Sequence, residues 1–173
     1  MSALDGKTIE RLLNEHSAPL VLYARQWTTE AEDCVQEAFI RLATCRREPN
    51  DPVCWLYRVT RNQAINSLRS QSRRKSRERA VAHRELVLQK MHPTELTPEA
   101  VEESLRTLPA ADREVVVSRI WGKLSFQQIA RLIGVSRSTA HRRYEAALLQ
   151  IREHLTNSTN TQNPKEKRTC PSD

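Results

Sequence analysis

The chain has 173 residues, of which 38% are hydrophobic and 5% aromatic, and it carries a formal charge of +7. That length suits one ordinary domain or two small ones around a modest aliphatic core, and three glycines in the whole chain argue against a turn-rich β fold. No apolar run approaches the roughly 20 residues needed to span a bilayer, and the N-terminus MSALDGKTIERLL lacks a basic start followed by an apolar segment, so a cytoplasmic protein with no membrane partner is expected.

Residues 7 to 26 place Ile9, Leu12, Leu13, His16, Leu20 and Tyr23 on a helical stripe, with His16 read as packed or partly exposed. Residues 30 to 43 form a second stripe from Cys34, Val35, Ala38, Phe39 and Leu42, whose outward side bears Asp33, Gln36, Glu37 and Arg41. The polar loop CRREPNDP follows, closed by Pro49 and Pro52. A third helix is predicted from about Val53 to at least Arg69, with Trp55, Leu56, Val59, Ala64 and Leu68 inward. Three helices with short connections pack as a small bundle, and residues 7–70 are read as a first domain.

From Trp55 to Glu85 the charge is strongly basic: Arg58, Arg61, Arg69, Arg73, Arg74, Lys75, Arg77, Arg79 and Arg84 stand against Glu78 and Glu85. Such a cluster attracts polyphosphate and releases counterions on binding it. SQSRRKSRERA, from Ser70, is charged and poor in large apolar side chains, HRELVLQKM has room for a short helix, and Pro93 and Pro98 bracket its end, so residues 71–98 read as a basic linker, helical where it continues the third helix. Residues 99–156 form a second helical domain. Val101, Leu105 and Leu108 make its first stripe, and Asp112 to Trp121 carry Val115, Val116, Ile120 and Trp121 for packing. The polar tail 157–173 is predicted to be disordered.

The most informative stretch is LSFQQIARLIGVSRSTAHRRYEAALLQIREHL, Leu124 to Leu155. Ser125 and Gln128 have capping-box spacing, and Ile129, Leu132 and Ile133 supply one apolar face. Gly134 sits where a turn wants positive φ, and Ser136 caps a second helix. That helix turns Ala140, Tyr144, Ala147, Leu148, Ile151 and Leu155 inward. Its other face opens with Arg137, Ser138, His141 and Arg142, flanked by Arg143, the arrangement of a recognition helix offering its first turns to a major groove. A helical hairpin buried in a core, or a stand-alone helix-turn-helix repressor, has the same local pattern.

The cysteines Cys34, Cys45, Cys54 and Cys170 form no CxxC pair, and His83 and His92 are not spaced with them as zinc ligands. Cys34 reads as a small core residue. There is no Gly-rich phosphate loop and no nucleophile beside a base. No metal, no cofactor and no enzymatic activity are expected.

Three segments in order, AEDCVQEAFIRL, WLYRVTRNQAINSLRS and LRTLPAADREVVVSRIWGKLSFQQIARLIGVSRSTAHRRYEAALLQIREHL, resemble the extracytoplasmic-function (ECF, group 4) sigma factors of bacterial RNA polymerase, within the sigma-70 family. The resemblance covers residues 8 to 156. It implies an all-α fold of two small domains, a sigma-2-like three-helix bundle and a sigma-4-like helix-turn-helix domain, joined by the basic linker. It implies a non-catalytic initiation subunit that binds core polymerase at the β′ clamp helices and the β flap, and reads promoter DNA. By position, Asp33, Gln36, Glu37 and Arg41 would face polymerase. Arg58, Arg61, Asn62, Asn66 and Arg69, with Arg46 and Asn50 in the preceding loop, would meet the minus-ten element. Ser125, Gln127, Arg137, Ser138, His141, Arg142 and Arg143 would meet the minus-thirty-five element. Many members carry Asp where this chain has Asn66. Most relatives are held inactive by an anti-sigma factor, a further partner the resemblance brings into view. A decoy that acts only through protein contacts is the other reading of the same motifs.

Overall fold

The structure, a computed structural model, describes residues 4–78 and 98–160, with no side-chain detail at 73–78, 98–102 and 157–160. Among the described residues every regular element is a helix. The first unit contains α1 (Gly6–Ala24), α2 (Ala31–Ala43) and α3 (Pro52–Glu78). Asp5 caps α1 by accepting from the Thr8 amide at 3.1 Å. Glu32 and Asp33 occupy the first turn of α2, where the helix dipole favours negative charge. Pro52 opens α3 at a position that needs no amide donor, and Asp51 Oδ1 accepts from the Cys54 amide at 3.0 Å. The three helices close on Leu12, Leu20, Tyr23, Phe39, Leu42 and Leu56. Ala24, Ala31, Cys34 and Ala64 form a neighbouring patch of small side chains, so Cys34 is a core residue as expected.

The second unit contains α4 (Pro98–Thr107), α5 (Ala110–Ile120), α6 (Phe126–Ile133) and α7 (Arg137–Asn160). Ser125 and Gln128 make the full capping box: the Gln128 amide donates to Ser125 Oγ at 3.2 Å and the Ser125 amide donates to Gln128 Oε1 at 2.8 Å. Gly134 ends α6 with φ of 75°, and Ser136 Oγ accepts from the Thr139 amide at 3.1 Å to start α7. Val115, Val116, Leu124, Ile129, Leu132, Ala140 and Ala147 are buried behind this turn. Burial of each Val, Leu or Ile side chain among them contributes about 1.5–3 kcal/mol.

Several expectations change. Leu68, Ile120 and Leu148, read as inward, are 43%, 44% and 38% exposed. At the level of Leu68, the opposite neighbours Ser67 and Gln71 take the contacts, bonding to Thr28 in the α1–α2 connection, and Leu68 is left facing solvent. Leu148 is turned by about 100° from buried Ala147, as 3.6 residues per turn requires. Helix α7 continues through Asn160, into the segment expected to be disordered from 157 onward. Residues 79–97 of the predicted linker and 161–173 of the tail lie outside the described residues. The two units, read from sequence as separated by that linker, pack directly and share one apolar core.

His16 is half-buried on α1, and its pKa lies below the ordinary histidine value. Burial is the main cause, Glu15 opposes it and Lys123 adds to it. The folded state thus binds the proton more weakly than the unfolded state. This contribution to stability is intact above about pH 6.5 and is lost as the pH falls below it. Chemical denaturation should show a smaller loss of stability on acidification for His16→Gln than for the wild type. At Gly134 an added Cβ would meet nothing within 4 Å, so only the backbone conformation opposes a side chain. Gly134→Ala should cost about 1–2 kcal/mol by urea unfolding, and Ser125→Ala about 1 kcal/mol.

Candidate nucleic-acid interface

Three polar surfaces emerge from these helices. On α2, Asp33, Gln36 and Arg41 are exposed and Glu37 is half-buried. Arg41 Nε donates to Glu37 Oε1 at 2.7 Å, an i,i+4 pair that ties the two into one face. Asp33 and Glu37 also line a groove of about 450 Å³ between α2 and α3, whose other wall includes Gln63, Asn66 and Ser67. Asn66 therefore opens beside the acidic face of α2 as well as along α3. The groove is held in shape by Ser67 Oγ, which donates to Glu30 Oε2 at 2.7 Å and lies 3.0 Å from Thr28 Oγ1.

On α3, Arg58, Asn62, Asn66 and Arg69 are all exposed. At about 100° per residue they fall within a quarter-turn of one another. Arg61 does not join them. It lies about 100° from Asn62 around the helix and turns into the contact between the units. Its Nε donates to Glu114 Oε1 at 2.7 Å and its Nη2 to Glu114 Oε2 at 3.4 Å. Tyr23 Oη donates to the same Oε1 at 2.6 Å. The Glu114 side chain is 5% exposed. The carboxylate raises the Arg61 pKa further, and burial followed by the Glu114 charge raises that of Tyr23. In the loop before α3, Arg46 and Asn50 are exposed. Asp51 beside them accepts at 2.9 Å from Gln128 Nε2 on α6. Of the aromatics on α3, Tyr57 is fully buried and Trp55 is half-buried.

On α7, Arg137, Ser138, His141 and Arg142 are exposed together on the first turns. Ser138 Oγ lies 2.9 Å from Ser136 Oγ, and His141 Nδ1 lies 3.2 Å from Glu145 Oε2. The His141 ring also meets Phe126 edge-on at 4.8 Å, which orients it from α6. Gln127 is exposed at the start of α6 beside them. Ser125 is exposed too, but its hydroxyl serves the capping box. Arg143 points elsewhere: it is half-buried with Nε 3.9 Å from Asp112 Oδ1 on α5. Four cationic or polar side chains thus converge on one face of α7, and Arg143 braces the helix from behind.

Sequence reasoning missed Glu114, its bond from the Tyr23 hydroxyl and the Asp51–Gln128 pair. For Glu114 the available signal was an acid directly before the apolar run Val115–Val117, in helical register with buried Ser118. Among the described residues no group of three or more His, Cys, Asp or Glu side chains is placed to hold a metal ion, and no helix is long and apolar enough to cross a membrane.

Comparison with known proteins matches residues 12–74 to sigma-70 region 2 and residues 104–153 to sigma-70 region 4. No curated protein sequence matches the chain. Among solved structures, the sigma factor RpoE from Bartonella quintana, crystallised with the anti-sigma factor NepR, superposes with a TM-score of 0.65 at 20% identity, covering 87% of this chain and 98% of that one. This is a likeness of fold. The chain belongs to the sigma-70 family and has the two-region plan of its ECF members. It binds core RNA polymerase, recognises the minus-ten and minus-thirty-five promoter elements and directs transcription initiation.

The geometry separates two neighbouring arginines. Arg142→Ala should cost about 1–3 kcal/mol selectively at one promoter position if it reads a guanine edge, and weaken all promoters alike if it holds phosphate. Arg143→Ala should leave promoter preference unchanged while lowering the melting temperature. Transcription from a minus-thirty-five mutant series, with thermal unfolding alongside, measures both.

Proposed function

We propose that the promoter-reading work is divided among the surfaces described, with residues 7–70 and 99–156 as the two working domains and 71–98 as their linker. Asp33, Gln36, Glu37 and Arg41 dock on the β′ clamp helices through charge complementarity, which sets register and speeds encounter. Arg58, Asn62, Asn66 and Arg69 form the minus-ten face, and Arg61 joins it when it is released from Glu114. Arginines there hold phosphates while asparagines reach base edges. Arg46 and Asn50 line the loop that receives an unstacked base. Arg137, Ser138, His141 and Arg142 read the minus-thirty-five groove with Gln127 at its edge. Ser125 and Arg143 contribute by holding α6 and α7, and the second unit meets the β flap.

The observation that carries this reading is the order and placement of the two family regions on two helical units, each with an exposed basic face. The protein acts in the cytoplasm without catalysing a reaction itself, since bond formation belongs to polymerase. The RpoE neighbour was solved with an anti-sigma factor, which supports the reading that such a partner restrains this chain as well.

With Tyr57 buried and Trp55 half-buried, α3 offers little aromatic surface for stacking on opened bases. Stacking of one base contributes about 1–3 kcal/mol, so promoter choice should be stringent. Run-off transcription with core polymerase and a genomic promoter library tests the assignment. Glu37→Lys should weaken core binding about tenfold, and Arg58→Ala with Asn62→Ala should abolish output from weak minus-ten elements first. Near-wild-type transcription from degraded minus-ten sequences would contradict it. So would a specific footprint on duplex DNA by the free chain, which is the behaviour of a repressor.

A further inference from the structure

We infer that Phe126 and Arg119 are positioning residues for the minus-thirty-five element. Arg119, Phe126 and His141, one side chain from each of α5, α6 and α7, form a stack that holds the His141 imidazole at the angle at which it reads one base pair. The inference rests on the assignment of the first turns of α7 to that element and adds what fixes one of its reading groups.

The stack is built from the turn before α6. Ser125 caps α6, so Phe126 is the first residue of the helix and its place is set by the capping box. Arg119 fixes the same point from α5. Its Nη1 donates to the Leu124 carbonyl at 2.8 Å, and its guanidinium carbon lies 4.8 Å from the Phe126 ring centroid. An aromatic face attracts a cation, so the guanidinium holds ring and turn together. On α7, His141 and Tyr144 are three positions apart and both meet Phe126 steeply. Their ring centroids lie 4.8 and 5.5 Å from that of Phe126, with planes inclined at 70° and 65°. Edge-to-face pairs of this kind are favoured between aromatic rings. The imidazole is limited along its own helix by Glu145, whose Oε2 lies 3.2 Å from Nδ1. Nε2 has no partner among the described residues and is left for the groove.

Exposure decides what the stack does. The His141 side chain is 52% exposed, so its contact with Phe126 buries little of it and adds little to the fold. What the contact supplies is restraint. A group that reads a base edge has to be held within about 0.5 Å and 10–20° of its productive geometry. A side chain that is ordered only on binding loses affinity in the process. Among the described residues Arg137 and Arg142 show no ion pair or ring contact, whereas His141 is held both from α6 and from its own helix.

The test uses holoenzyme formed from the full chain and core polymerase. Run-off transcription is measured on a promoter set in which each minus-thirty-five base pair is changed in turn to the other three. His141→Ala marks the base pair that the imidazole reads, because preference there is lost. Phe126→Leu keeps an apolar side chain without a ring, Arg119→Met keeps the stem without the guanidinium, and Phe126→Tyr keeps the ring. Ile129→Val, at a buried position of α6 outside the stack, controls for loss of packing. Circular dichroism gives the helicity and melting temperature of each variant, and transcription is run well below the transition. Phe126→Leu should reduce preference at the His141 base pair about two- to tenfold and leave the other positions unchanged. Arg119→Met should reduce it about two- to fivefold at the same base pair, and Phe126→Tyr should retain it. Ile129→Val should lower the melting temperature and move no preference. Phe126→Leu combined with His141→Ala should lose no more at that base pair than His141→Ala alone. The inference is overturned if Phe126→Leu and Arg119→Met keep the wild-type preference there, or weaken all positions alike. Should Phe126→Leu not fold, Arg119→Met decides between these outcomes. If His141→Ala changes no position, the assignment of His141 to the groove falls, and the role of the stack falls with it.

Discussion

A carboxylate does not stay buried without partners, and Glu114 finds its side-chain partners across the boundary between the two halves of the chain. Tyr23 and Arg61 converge on one of its oxygens at 2.6 and 2.7 Å, and the apolar core continues around the cluster through Tyr57, Val115 and Val116. Removing one member of such a buried set typically costs about 3–5 kcal/mol, whereas the intact set contributes little beyond an apolar replacement. The cluster therefore determines where the units meet more than how strongly they hold. Hydrophobic contact is non-directional and would accept several docking angles. A three-donor cradle around one carboxylate accepts few. Arg61 adds a contact at 6.0 Å from the Trp27 ring centroid, at the outer limit of a cation–π interaction, so its orientation is restrained from two sides.

The rest of the molecule follows from how little of each long helix the core requires. The first half of α3 buries Leu56, Tyr57, Thr60 and Ala64, and the face bearing Arg58, Asn62, Asn66 and Arg69 stays in solvent. Among the described side chains of α7 the fully buried positions are Ala140 and Ala147, small residues that let it lie close to its neighbours. Such narrow buried stripes leave most of each circumference free, and the side chains on it are carried by rigid elements, which holds a binding surface more accurately than a loop does. The same economy explains Leu148 and Leu149, which lie on the side of α7 turned away from buried Ala147.

What could be read from sequence depended on how far apart the deciding residues were. The capping box at Ser125, the left-handed Gly134 and the Ser136 cap are settled by residues two or three positions away, and each forms as its local pattern dictates. The helices themselves follow from apolar periodicity. Burial at the stripe edges was not legible, because Leu68 and Ile120 depend on whether another helix reaches their level. Least legible were the pairs Arg61–Glu114 and Gln128–Asp51, separated by 53 and 77 residues. No spacing rule connects such positions, and each member alone looks like an ordinary surface polar residue.

Arg61 shows why a basic helical face is an incomplete guide to nucleic-acid contact. Arg58 and Arg61 are three positions apart, a spacing that often places two side chains on one surface, yet one faces solvent and the other its own chain. The guanidinium does not distinguish the cases chemically: a carboxylate and a phosphate present the same pair of oxygens to its fork. Lysine could not substitute equally in both, since its single ammonium lacks the bidentate geometry that Nε and Nη2 supply to Glu114. An arginine at this position is therefore suited to grip a planar anion with two parallel donors, and here that anion is the Glu114 carboxylate. Charge pattern alone locates the cation; the burial of its counter-ion determines when that cation is free to act.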